Sequence, residues 1–226
     1  MSELNVENIL KCHRLLLGGM GEAHKQPRDG GTTGALVAGL LSQNTTDHNR
    51  DLAYGRLRDR FSTWEEVKKA PMAKISEAIR PAGMMNQRAP RIRSLLSAIK
   101  ERTGGFSADF LLEIPHEEAF RWLVSRDGIG EKTAAVFLLF QRSAPYFPVD
   151  THIKRVLPRL GWFPPKTPAQ KIQRRMTEIC PPEIMKDFHL NIIRLGRSTC
   201  KPRKPRCPEC PAQSICRYFS VDYSGD

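Results

Sequence analysis

Three stretches of this chain hold residues whose types and spacing could do chemistry. The first is "CKPRKPRCPECPAQSIC", in which Cys200, Cys207, Cys210 and Cys216 follow the pattern C-x6-C-x2-C-x5-C. Four soft thiolates on one continuous loop suit zinc or iron. A structural zinc site more often joins two short knuckles from separated stretches, and free thiols are the remaining reading. The gap between the first two cysteines holds Lys201, Arg203, Lys204 and Arg206, so a metal-type site and a block of positive charge share one loop.

The second stretch is "WLVSRDGIGEKTAAVFLLF", a polar turn between two apolar runs of helical spacing. Gly128 and Gly130 allow positive φ and let backbone N–H groups come close to a ligand. Those groups sit where the following helix begins, and the positive end of its dipole favours a phosphate. A lone G-x-G is only a tight turn. The complete frame, with Lys132 and Thr133 leading the second helix, resembles the helix-hairpin-helix motif that grips a DNA backbone without reading sequence. Lys132 reads as a solvated lysine, as a phosphate contact or as a nucleophilic amine. An ordinary lysine of pKa ~10.4 is only about 0.1% neutral near pH 7.5. A helix N-terminus and an apolar wall both disfavour the ammonium form. The third stretch, "YFPVDTHIKRVLPRL", places Asp150 just ahead of a helical pattern, where it reads as an N-cap. A carboxylate there could also support positive charge developing on a sugar.

The elements that must position these groups are helices. Apolar residues recur at helical spacing in "NVENILKCHRLLLGG", ending on Gly18-Gly19, and in "ALVAGLLSQNTTDHNRDLAYGRLRDRF", broken near "QNTTD". Ser62 with Glu65 predicts a capping box, "RPAGMMNQRAP" a turn, and "RIRSLLSAIKERTGG" an amphipathic helix. Pro115 reads as the first residue of the next helix. Alternation of period 2 is absent, so the predicted class is all-α. Cys12 and Cys180 fall on apolar helical patterns and are expected to be buried packing residues.

The 226 residues include 36 Lys and Arg against 24 Asp and Glu, a net charge of +12. That surplus calls for a polyanionic partner, nucleic acid or an acidic membrane surface. No run approaches the ~20 apolar residues of a membrane helix. The N-terminus lacks the pattern of a signal peptide. A reducing, cytoplasmic, nucleoid-associated setting is the expectation, with cysteines as ligands or buried thiols.

Together, "LLSQNTTD" (Leu40–Asp47), "GIGEKTA" (Gly128–Ala134), "FPVDTHIKRV" (Phe147–Val156) and the cysteine loop resemble the endonuclease III family of DNA glycosylases, in order and in spacing. The resemblance implies two all-α domains. One is a helical barrel over 25–143 containing the hairpin; the other combines 1–24 with 144–226. It implies duplex DNA carrying damaged bases or abasic sites as partner, a flipped-out nucleotide and a monomer. Lys132 would attack C1′ and Asp150 would assist, giving a bifunctional glycosylase/lyase for oxidised pyrimidines. Monofunctional or mismatch-type glycosylases and a non-catalytic iron–sulfur DNA-binding protein are the alternatives. Lys132 argues against the monofunctional reading and Lys132 with Asp150 against the non-catalytic one, while a glycosylase for mismatches or other bases stays open, because the pocket residues of this superfamily are scattered. Asn44 aligns with a glutamine the family inserts into the duplex, with neighbouring Gln43 as substitute, and Met84 with an inserted leucine. The four cysteines would hold a [4Fe–4S] cluster, pinning the loop so that its basic residues meet phosphates. One departure stands out. Arg126-Asp127 precede Gly128 where the family often has Leu-Pro, adding a phosphate contact and an opposing charge.

Overall fold

The computed structural model describes residues 3–22 and 30–223. Among these residues there are helices and no strands. The all-α expectation holds. In chain order the helices are α1 (Val6–Met20), α2 (Gly31–Leu41), α3 (Asp47–Arg60), α4 (Trp64–Lys69), α5 (Met72–Ala78), α6 (Met85–Thr103), α7 (Phe110–Glu113), α8 (His116–Val124) and α9 (Glu131–Arg142). They continue with α10 (Thr151–Leu160), α11 (Ala169–Ile179), α12 (Pro182–Ser198) and α13 (Arg217–Val221). No helix is long and apolar enough to cross a membrane among the described residues.

Side-chain caps open several of these helices. Asn5, Thr46, Thr63 and Asp150 accept from the N–H of Asn8, Asn49, Glu66 and Ile153 respectively, each satisfying one of the donors a helix start leaves over. Local details differ from the sequence reading by one turn or less. α1 runs through Gly18-Gly19 and stops at Gly21, because neither earlier glycine leaves the helical region. The cap of α4 is Thr63 rather than Ser62, whose own N–H donates to Glu66. Pro115 is the N-cap of α8 and His116 its first residue. The expected turn "RPAGMMNQRAP" shortens to a 3-10 segment, Arg80–Ala82, and α6 already begins at Met85.

The chain divides into two compact units, Met1–Gln26 with Ser143–Asp226, and Pro27–Arg142. The break anticipated at residues 24 and 25 lies outside the described residues. In the continuous unit, α2 packs on α3, α6 and α9 and is apolar beyond Thr32 and Thr33, as suits a helix enclosed over most of its surface. A Cβ on Gly39 would stand 3.2 Å from the Thr133 methyl, so the missing side chain lets α2 and the start of α9 come close. In the other unit α12 packs on α1 and α10, and Phe188 centres the core, with the rings of Phe147, Trp162 and His13 at centroid distances of 6.0, 6.2 and 6.1 Å. Truncating fully buried Phe188 to Ala is expected to destabilise this unit by about 3–5 kcal/mol, measured by denaturant unfolding followed by circular dichroism.

Candidate nucleic-acid interface and cysteine site

The hairpin turn joins α8 to α9 through residues 125–130. Ile129 is buried beneath it and its N–H donates to the Arg126 carbonyl at 3.0 Å. Gly128 carries the left-handed backbone, φ 79, and a Cβ there would meet the Arg91 side chain at 2.6 Å. Gly130 differs from expectation. Its φ is not positive, and a Cβ would project into open space. Glycine at 130 therefore serves no need of the fold, although it keeps the start of α9 bare. Lys132 is exposed in the first turn of α9, among the N–H groups that have no intrahelical acceptor.

Residues 126 and 127 are absorbed locally. The Arg126 guanidinium stacks 4.9 Å over Trp122 and donates to the Ser125 hydroxyl. Asp127 pairs with Arg91 at 3.3 Å. An open concavity of about 740 Å³ includes Gln43, Arg91, Arg126, Asp127, Gly128 and Gly130 in its lining.

Gln43 and Asn44 part company. The Gln43 amide donates to the Gly128 carbonyl at 2.5 Å, so it is committed to the hairpin. Asn44 is exposed with φ 49, at the tip of its loop. Met84 is 46% exposed with φ 48, immediately before α6. Sequence reading missed Arg88, which lies between these loops.

In the other unit Asp150 caps α10, its Oδ1 accepting from the Ile153 N–H at 2.8 Å. The extended approach to it is fixed at the Phe147 N–H, which donates to the Thr177 hydroxyl (2.9 Å), and by a contact of 3.1 Å between the Pro148 carbonyl and His189 Nδ1.

None of the four loop cysteines is in a disulfide, and all four line one small cavity with Arg159, Thr199, Gln213, Tyr218 and Phe219. Burial raises the pKa of Cys207, Cys216 and Cys210, the last to about 11, and neighbouring thiolates push each further up. These three thiols will not ionise together unless a cationic centre displaces their protons. Among the described residues no three His, Cys, Asp or Glu side chains converge closely enough for a single metal ion. A lone zinc would need its sulfurs ~3.8 Å apart, given Zn–S bonds of ~2.3 Å. A cubane with one thiolate per corner spreads them more widely. Four thiols lining one small cavity are the donor set that an iron–sulfur cluster takes. Cys12 and Cys180 are buried thiols, both with raised pKa from desolvation, to which the charges of Cys210 and Cys216 add at Cys12.

The basic loop is held by hydrogen bonds that sequence reading did not foresee. Arg155 donates to the Cys200 carbonyl (2.9 Å), and Arg159 to those of Lys201 (2.7 Å) and Pro202 (3.1 Å). Arg206 turns back to Glu209 and the Ser198 carbonyl. Lys201, Arg203 and Lys204 remain exposed. The i, i+4 arginines on α10 were the available signal for this clasp.

A helix-hairpin-helix turn on an all-α scaffold, with a cysteine loop beyond it, defines a class of DNA-repair proteins. Residues 37–182 match the HhH-GPD superfamily of base excision DNA repair proteins. Endonuclease III of Sulfolobus acidocaldarius is 33% identical over 186 residues, 81% of each chain. A non-covalent endonuclease III–DNA complex and a trapped endonuclease III–DNA covalent intermediate each superpose with a TM-score of 0.81 at 26% identity. They cover 96% of this chain and 97% and 98% of theirs. The chain belongs to the endonuclease III family within that superfamily and is a DNA glycosylase of base excision repair.

Two substitutions separate fold from contact at the hairpin. Gly128→Ala is expected to lower stability by about 1–2 kcal/mol through its left-handed φ and the collision with Arg91. Gly130→Ala should leave the melting temperature unchanged yet weaken duplex binding, as read by a titration of labelled DNA, because only an approaching phosphate would meet the new methyl.

Proposed function

We propose that this enzyme, a DNA glycosylase with AP lyase activity, removes oxidised pyrimidines from duplex DNA and opens the abasic site through a lysine Schiff base. The observation that carries the proposal is Lys132, exposed at the bare start of α9 beside the hairpin turn. There a phosphate can dock on the α9 N–H groups while the amine two residues on faces the sugar.

Neutral Lys132 Nζ attacks C1′ as the glycosidic C–N bond breaks, and the base leaves with the electron pair and takes up a proton. Opening of the sugar ring gives an iminium between Nζ and C1′. Loss of a C2′ proton then expels the 3′ phosphate by β-elimination, and water hydrolyses the imine to free the lysine. Asp150 accepts a proton from the amine or balances the cationic sugar. Asn44 and Met84 enter the space vacated by the flipped nucleotide. Lys201, Arg203 and Lys204 bind phosphates without reading sequence. Cys200, Cys207, Cys210 and Cys216 hold a [4Fe–4S] cluster that braces this loop, and no step of the reaction passes through it. The protein works on DNA as a monomer.

Borohydride should trap a covalent adduct between wild-type protein and a thymine glycol duplex. Lys132→Gln is expected to lose both trapping and strand cleavage while still binding an abasic duplex. Asp150→Asn keeps an N-cap, so it should fold normally and slow base removal by about 10²–10⁴. Base release by the wild type without an adduct would overturn the assignment of Lys132. For the cysteine site, anaerobically purified protein should be brown and carry about four iron atoms per chain; stoichiometric zinc without iron would refute the cluster. Replacing Lys201, Arg203 and Lys204 together with Ala should reduce the log–log salt dependence of binding by up to about 3, and an unchanged slope would mean that these charges only face solvent.

A further inference from the structure

Arg88 is 2% exposed, yet no carboxylate pairs with it among the described residues. Its guanidinium is spent on backbone carbonyls instead. Nη1 donates to Leu41 at 2.7 Å and to Ala82 at 2.9 Å, and Nη2 donates to Gln43. Leu41 ends α2, and Ala82 ends the 3-10 segment before Met84. Helix ends of this kind leave carbonyls without intrahelical partners, and a cation is the favoured species beside them. One side chain thus closes two helix ends at once.

The residues just beyond each end make the arrangement unusual. Three residues past Leu41 stands Asn44, and two past Ala82 stands Met84, with φ 49 and 48. Left-handed backbone at a residue other than glycine persists only where its surroundings impose it. Gln43 extends the same chain of bonds. Its carbonyl accepts from Arg88, and its own amide donates to Gly128 in the hairpin turn. A planar fork suits this task, because its donors diverge from a rigid plane. Leaving a buried cation without a counter-ion is costly. A surface loop has no need of such a feature; two loops that must keep one register do.

We propose that Arg88 and Gln43 are positioning residues that lock the Asn44 loop, the Met84 turn and the hairpin into one template. Duplex DNA then meets inserted residues and backbone grip in fixed register, and the clamp governs extrusion of the nucleotide rather than the chemistry at C1′. This rests on the reading of Asn44 and Met84 as the residues that enter the duplex.

The test compares single-turnover cleavage of three DNAs: a duplex with paired thymine glycol, a duplex with a pre-formed abasic site, and a single strand with that abasic site. Arg88→Met and Gln43→Met should slow the paired lesion about 10–100-fold, the scale of a small misplacement. On the single strand, which needs no extrusion, the loss should stay within about threefold, with the abasic duplex in between. Arg88→Lys keeps the charge without the fork and should recover part of the rate. The double variant should be no slower than the worse single one, because both break the same chain of bonds. Equal losses on all three DNAs, or no loss on the duplexes, would overturn the proposal. If Arg88→Met does not fold, Arg88→Lys and Gln43→Met decide by the same ratio. If the wild type ignores thymine glycol, the proposed substrate fails, and the two abasic DNAs still judge the clamp.

Discussion

Every helix ends in backbone groups that the helix itself cannot satisfy, and among the described residues this chain has no sheet to absorb them. At the carbonyl ends its recurrent answer is an arginine. Arg194 donates to Met20, Gly21 and Glu22 where α1 stops. Arg142 reaches the carbonyls of Leu111 and Ile114 around α7. Arg155 serves Gly196 and Cys200, and Arg159 serves Lys201 and Pro202. Arg88 does the same for three carbonyls in the core of the other unit. A fork of divergent donors that stays charged at any ordinary pH is the side chain best matched to paired carbonyls.

That device changes how the charge of the protein should be understood. A surplus of +12 suggests a surface covered in phosphate contacts, but several of the arginines behind it are already engaged by the protein's own groups. Arg126 lies on Trp122, Arg91 answers Asp127, and Arg206 returns to Glu209. Fewer positions remain outward, among them Lys201, Arg203 and Lys204 on a loop whose carbonyls are already clasped. Under the proposed function, holding the backbone with arginine leaves exposed lysines such as Lys201 and Lys204, which are compact and strongly hydrated, for the partner.

The fold class was legible because helical spacing and glycine or cap punctuation persist along most of the chain. Asp150 as N-cap followed from its place before "THIKRV", and the buried states of Cys12 and Cys180 from their apolar neighbours. What escaped was long-range. Nothing local tells that Gln43 bonds to a turn 85 residues away, or that Arg88, in a stretch resembling a surface turn, is enclosed. Gly130 was overread, because a sequence G-x-G does not reveal which glycine bears the left-handed φ. The cysteine loop was half legible. Its spacing named the thiols, but the clasp from α10 depends on packing that spacing does not encode.

Under the proposed mechanism one bond of Asp150 serves two ends. Capping α10 ties Oδ1 to the Ile153 N–H and fixes the plane of the carboxylate. In that mechanism its second oxygen is the one left for the cationic sugar. A free aspartate side chain would lose rotamer entropy on meeting a cationic sugar; one already held by a helix start has lost it on folding. The same logic applies to Lys132 at the start of α9. Its backbone is set by the helix while its amine remains mobile at the end of a flexible stem. Under the proposed mechanism the nucleophile must follow C1′ through ring opening and elimination, whereas the carboxylate need only stay where charge develops. A mobile amine and a tethered carboxylate meet those two demands.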